Sequence, residues 1–223
     1  MENNEGIIKF QMTYSRRPPL APDKILALNA WRKILNLLRL IGQTPDRYGG
    51  FGYGNISCRK SPLAAPPGKR AFIISGTQTG HLSDLDETHY TQVNAYDLGR
   101  NQLTATGPVR PSSESLTHGA VYDLCPAIRF VIHAHSHQIW KNSTALAIPV
   151  TRKSAAYGTP AMAEEIGRLF RETNLEKRRI LAMGGHEDGI VAFGDSPEAA
   201  GSVMIKTLAR ALEMEEKGTN QPI

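Results

Sequence analysis

Apolar positions along the chain recur with two periods, and each period marks out a set of elements. Between Asp23 and Ile41, Leu28, Trp31, Leu35 and Leu38 return at helical spacing and Gly42 stops the run, which predicts an amphipathic helix. Helical spacing reappears over Ser113–Leu124, with Pro126 just beyond it, over Thr159–Arg171, and over Ser196–Lys217, where Pro197 sits in a first turn that tolerates proline. The short apolar runs "AFIIS" (71–75), "AIRFVIH" (127–133), "RRILAM" (178–183) and "GIVAFG" (189–194) read as strands. "YTQVNAYD" and "NQLTATG" flank the turn at Gly99 as a hairpin, and "DRYGGFGYGNISCR" (46–59) is a glycine-rich loop entering a strand.

Strands and helices mix without a regular βαβ rhythm. That predicts an α/β chain with a mixed or antiparallel sheet covered by helices, and argues against a Rossmann-type fold. Internal repeats and dividing linkers are both lacking. Residues 1–21 read as an irregular arm with a Pro-rich end, and 22–223 as a single domain.

Composition narrows the classes. The chain is 40% hydrophobic and 21% charged, and it has no apolar run near the roughly 20 residues a membrane span needs. Its polar start, "MENNEGIIKFQMTYSRRPPLAP", is neither a secretory signal nor a transit peptide, so a cytoplasmic location is expected. Two cysteines, Cys58 and Cys125, are too few for a disulfide framework. The net charge of +5 comes from scattered Lys and Arg. It suits an anionic small substrate at least as well as a nucleic acid, which is not expected as a partner.

The candidate chemistry starts at "FVIHAHSHQIW" (130–140). Alternate side chains of a strand share a face, so His133 and His135 project together. They read either as two ligands of one metal ion or as ordinary polar residues on the wet face of an edge strand. A catalytic ion needs a third protein ligand. His186, within "AMGGHEDGIVAFG" between two strands, is either that ligand or the cap of a tight turn. His137 follows Ser136, where a helix begins, and is expected to point elsewhere. His81 and His89 read as surface residues. His118 lies four residues after Glu114, so the two share a helical face. Glu114 is either an acid–base group or a simple first-turn glutamate. "GYGNIS", "ISGTQTG" and "PSSES" have the hydroxyls and glycine turns that can hold a phosphate. None fits the P-loop pattern, which excludes nucleotide hydrolysis of that type.

"GNIS", the strand into "ISGTQTG", "PSSES", "RFVIHAHS" and "GGHEDGIVAFG" follow one another in the order found in class II aldolase/adducin proteins, and the chain resembles that family over roughly residues 25–215. The resemblance implies a three-layer αβα sandwich around a mostly antiparallel sheet. It implies a divalent metal, most often Zn2+ with Mn2+, Co2+ or Fe2+ as alternatives, held by His133, His135 and His186, with Glu114 as acid–base catalyst. Gly54, Asn55, Ser75, Gly76, Ser112 and Ser113 map to the phosphate pocket. The activity implied is that of a metal-dependent lyase of carbohydrate metabolism, cleaving a small phosphorylated ketose or hydroxy-carbonyl compound through a metal-stabilised enediolate. An epimerase or dehydratase with the same site, or a non-catalytic adducin-like domain, are the alternatives, and a homotetramer is the implied assembly. The metal loop departs from the Asn-His-Gly of many relatives, reading Gly185-His186-Glu187, and Tyr157 stands as the counterpart of an aldolase tyrosine.

Overall fold

The apolar runs assemble into one eight-stranded sheet. A computed structural model describes residues 6–219; residues 1–5 of the arm and 220–223 lie outside the described range. The strands are β1 (Gln11–Arg16), β2 (Asn55–Arg59), β3 (Phe72–Ser75), β4 (Tyr90–Asp97), β5 (Gln102–Gly107), β6 (Phe130–His135), β7 (Ile180–Ala182) and β8 (Gly189–Gly194). The helices are α1 (Leu26–Leu37), α2 (Ser115–Leu124), α3 (His137–Lys141), α4 (Pro160–Glu172), α5 (Leu175–Arg178) and α6 (Pro197–Thr219). Spatial order across the sheet is β1-β5-β4-β3-β2-β6-β8-β7. All neighbours run antiparallel except β1 and β5, so the sheet is mixed and mostly antiparallel, with helices on both faces.

Two buried clusters define the layers. On one face Val131, Val191 and Leu181 pack with Leu116 and Val121 of α2 and Met162 and Ile166 of α4. On the other, Ile132 and Ala134 pack with Leu28 and Leu35 of α1, Ile139 of α3 and Met204 of α6. Because β6 is covered on both faces, its sequence is a continuous apolar run interrupted only by histidines. The residue alternation puts His133 and His135 on the Val131 side, beneath α2 and α4.

Three departures from the sequence reading have physical causes. The arm contributes a strand: β1 pairs in parallel with β5 from Gln11↔Gln102 to Arg16↔Gly107. As a half-exposed edge strand it needs few apolar residues, so "QMTYSR" carries little strand signal. The first helix ends at Leu37 rather than at Gly42, because Arg39 takes a left-handed φ of 55°; Leu38 turns to solvent while Leu40 and Ile41 return to the core. Trp31 packs half-buried on the core, and Arg32 beside it is buried as well. Its guanidinium donates to the carbonyls of Ser83 (2.8 Å) and Thr79 (3.1 Å), which ties α1 to the 76–83 loop. No helix among the described residues is long and apolar enough to cross a membrane.

Candidate active site

β6 lies between β2 and β8, so the edge-strand reading of the histidine pair fails: His133 and His135 are 0% and 1% exposed. His186 arrives from the turn joining β7 to β8. Its N–H donates to the Met183 carbonyl (3.1 Å) and its carbonyl accepts from Gly189 N–H (3.0 Å), closing the turn back onto β6. Gly185 permits that path, since a Cβ there would lie 2.1 Å from the Ala155 carbonyl oxygen. One ligand nitrogen from each imidazole falls within 4.8 Å of the others.

The ring nitrogens are arranged for a shared ion. Nδ1 of His133 faces the Ile190 carbonyl at 3.3 Å, and since a carbonyl only accepts, Nδ1 carries the proton and Nε2 presents its lone pair. Nε2 of His135 stands 3.2 Å from that atom. Two nitrogens each ~2.0–2.1 Å from a tetrahedral zinc would be ~3.4 Å apart. Burial pushes the His133 pKa down to about 4 and holds those of His135 and His186 well below the ordinary value. All three are therefore neutral, as metal ligands must be. These residues fit a divalent ion.

Glu114 stands at the entrance to α2, with Oε1 3.8 Å from His186 Nε2. Burial pushes its carboxyl up to about 7, against the smaller downward pulls of Thr117 and the Lys9 charge. A first-turn glutamate open to solvent would not behave so. At neutral pH it holds and releases a proton with similar ease, which is what general acid–base work requires.

Beside this cluster is a cavity of about 20 Å³ bounded by Gly54, Asn55, Ser112, Ser113, Gly6 and the 76–80 loop. Asn55 sits opposite His133 in the β2–β6 ladder, and its Nδ2 donates to Ser112 Oγ at 2.8 Å. Five of the six residues assigned to a phosphate pocket thus converge. Ser75 does not reach the cavity; its hydroxyl accepts from Ile56 N–H (3.3 Å). Gly76 lines it, but its N–H is committed to the His89 carbonyl (2.8 Å).

The remaining histidines separate clearly. His118 is fully buried in a chain of short contacts, Nδ1 to Ser57 Oγ (2.6 Å) and Ser57 Oγ to Tyr122 hydroxyl (2.7 Å), where it knits α2 to β2. His81 is exposed, and His89 closes a capping box with Asp86. His137 points away from the cluster, yet its Nδ1 lies 3.0 Å from Asp188 Oδ1. Asp188 Oδ2 accepts from the Tyr48 hydroxyl (2.7 Å), which in turn accepts from Arg47 (2.7 Å). The Tyr48 ring meets His135 edge-on at 4.6 Å. Sequence reasoning missed this brace behind the His186 loop. Its only local signal was the Gly49-Gly50 pair that lets Tyr48 turn inward. Tyr157 packs its ring on His186, with centroids 4.6 Å apart.

Residues 36–215 match the profile described as Class II Aldolase and Adducin N-terminal domain. L-ribulose-5-phosphate 4-epimerase UlaF of Salmonella paratyphi B is 33% identical over 122 residues, 49% of this chain and 54% of that protein. Methylthioribulose-1-phosphate dehydratase of Gluconacetobacter diazotrophicus is 28% identical over 114 residues, 50% of this chain and 49% of that one. The chain thus spans about half the length of the curated relatives it matches. Among solved structures, the L-fuculose-1-phosphate aldolase of Thermus thermophilus superposes with a TM-score of 0.61 at 20% identity, covering 88% of this chain and 96% of its own. At that identity the likeness establishes the fold.

Proposed function

The chain belongs to the class II aldolase and adducin family, and on that premise we propose that it is a metal-dependent carbon–carbon lyase acting on a small phosphorylated ketose or related hydroxy-carbonyl compound. The observation that carries the proposal is the buried, near-neutral Glu114 carboxyl 3.8 Å from His186. An interaction-only domain would have no use for an isolated buried carboxyl beside three buried imidazoles, each of which costs stability to bury.

His133, His135 and His186 would hold the ion, with zinc the best match to three imidazoles and an open position. A divalent ion, when bound, supplies Lewis-acid stabilisation of negative charge on an oxygen next to the reacting carbon. The remaining steps belong to the protein's own groups. Asn55, Ser112 and Ser113 orient the substrate from its far end, turning remote binding into alignment of the reacting carbons. In cleavage, the hydroxyl on the departing carbon gives its proton to solvent as its oxygen becomes a carbonyl, and the electron pair of the broken bond passes to the carbon next to the ketone. Glu114 delivers a proton to that carbon and is recharged from solvent before the next turnover. Burial of all four side chains excludes water from the carbanion.

A second reading, epimerisation or dehydration at the same site, is favoured by the names of the two curated relatives. Both reactions pass through a carbanion beside a carbonyl, so the residues keep their roles. Incubation with a panel of phosphorylated ketoses, with product analysis, tests the proposal. Formation of a triose-phosphate-sized ketone and an aldehyde supports the lyase. Isomeric or dehydrated products would transfer the assignment to the second reading. Glu114→Gln should retain metal and lose turnover in either case; full activity in that variant would remove Glu114 from its role.

A further inference from the structure

Residues 6–10 run beside Tyr157 and the Ser112–Ser113 cavity before the chain enters β1. The segment is fastened at its β1 end, where Phe10 is buried and Gln11 N–H donates to the Asn101 carbonyl (2.9 Å). Asn101 Nδ2 donates to the Lys9 carbonyl (3.0 Å), and the Tyr157 hydroxyl donates to that of Ile7 (3.5 Å). Gly6 lines the cavity beside Ser112 and Ser113. The strap is thus a wall of the site.

Lys9 rides on this strap. Its stem lies along Gly158, where an added Cβ would meet Lys9 Cβ at 3.7 Å and the Ser113 carbonyl oxygen at 3.4 Å. Its Nζ sits 3.6 Å from the centre of the Tyr157 ring, and that ring packs on His186. Its charge is near enough to act on both the Glu114 carboxyl and the His186 imidazole. Ser113 belongs to the cavity and His186 to the imidazole cluster, so Lys9 occupies the boundary between them. The cavity itself is bounded by neutral groups only among the described residues. An anion placed there meets hydroxyls, an amide and backbone, with no cation from the cavity walls to balance it.

We propose that Lys9 is a specificity-determining substrate ligand, whose ammonium pairs with an anionic group of the substrate at the boundary between the Ser112–Ser113 cavity and the three-histidine cluster. This rests on the reading above that the substrate is an anionic hydroxy-carbonyl compound. Lys9 precedes residues 36–215, the part of the chain that matches the family profile, so the charge is supplied by this chain's own arm. A lysine suits the task because its ammonium is a compact point charge on a flexible stem. Its ammonium already lies over the Tyr157 face, so an anion paired with it there would be held beside that ring.

The anion is either a phosphate ester or a carboxylate, and binding separates the two. Titration calorimetry with inorganic phosphate and with glycolate would be run on zinc-supplied wild type, Lys9→Met and Lys9→Arg, with metal content and Tm as controls. Lys9→Met should weaken one probe about tenfold or more, while Lys9→Arg retains most of the affinity and metal content is unchanged. A loss confined to phosphate assigns the partner as a phosphate ester, and a loss confined to glycolate as a carboxylate. Equal binding of both probes by wild type and Lys9→Met overturns the proposal and leaves the lyase reading standing. Binding of neither probe by wild type removes the anionic-substrate reading, and the role of Lys9 with it. A fall in Tm or metal content that Lys9→Arg does not restore makes Lys9 structural and also overturns the proposal.

Discussion

Replacing Glu114 by Gln separates what this carboxyl does for chemistry from what its burial does to the fold. The side chain is 2% exposed, and burial raises its pKa from an ordinary 4.5 to about 7. Between those values the folded protein keeps the proton while the unfolded chain gives it up. The group's contribution to stability is therefore fully present below pH 4.5 and is lost as pH rises through about 7, after which the loss is constant. The full separation is equivalent to about 3 kcal/mol, and the part falling between pH 5 and pH 8 to about 2 kcal/mol. Glutamine has nearly the same shape and no proton to lose. Urea unfolding of the metal-free proteins at pH 5 and pH 8 should show Glu114→Gln gaining about 2 kcal/mol on wild type over that interval, with most of the change complete by pH 7. The metal-free form is required because a nearby cation would itself lower the carboxyl pKa. A difference between the two proteins that does not vary with pH would refute the buried, near-neutral state of Glu114.

Other perturbations follow from the same geometry. Gly185→Ala places a Cβ 2.1 Å from the Ala155 carbonyl oxygen, so the loop that carries His186 must shift. A loss of about 1–3 kcal/mol in urea unfolding is expected, with at least ~10-fold weaker zinc binding in a chelator competition. Tyr48→Phe removes the 2.7 Å hydrogen bond to the buried Asp188 carboxylate and should cost about 1.5–3 kcal/mol by thermal unfolding, while leaving far more turnover than Glu114→Gln leaves. Leu26 and Leu37 of α1, Leu38 just after it, and Phe51 are exposed. If the homotetramer that the family resemblance implies forms through these residues, light scattering should give a mass near four chains, and charged replacements at Leu26 and Leu37 should reduce it.

Much of this architecture is legible in the sequence because it is written in local periodicity. Helices α2, α4 and α6, the β4–β5 hairpin, and β6 to β8 coincide with apolar runs bounded by Gly or Pro. The histidine pair announces itself by its spacing of two on a strand, and His186 by the glycines around it. What escapes is set by partners distant along the chain. β1 is polar and becomes a strand only by pairing with β5. Arg32 reads as a surface residue, yet it is buried by carbonyls of the 76–83 loop. Tyr48 and Asp188 are 140 positions apart, and neither has a local pattern that names the other. Ser75 fails in the opposite direction: it stands in the expected motif, but its hydroxyl is spent inside the sheet.

Metal content is the measurement that bears most directly on the three-histidine centre. Wild type supplied with zinc and dialysed should carry about one ion per chain by elemental analysis. His186→Ala should lose most of it while its circular dichroism stays that of wild type. Wild type that retains no divalent metal, from zinc or from manganese, or a His186→Ala protein that retains as much as wild type, would contradict the assignment of His133, His135 and His186 as one metal site.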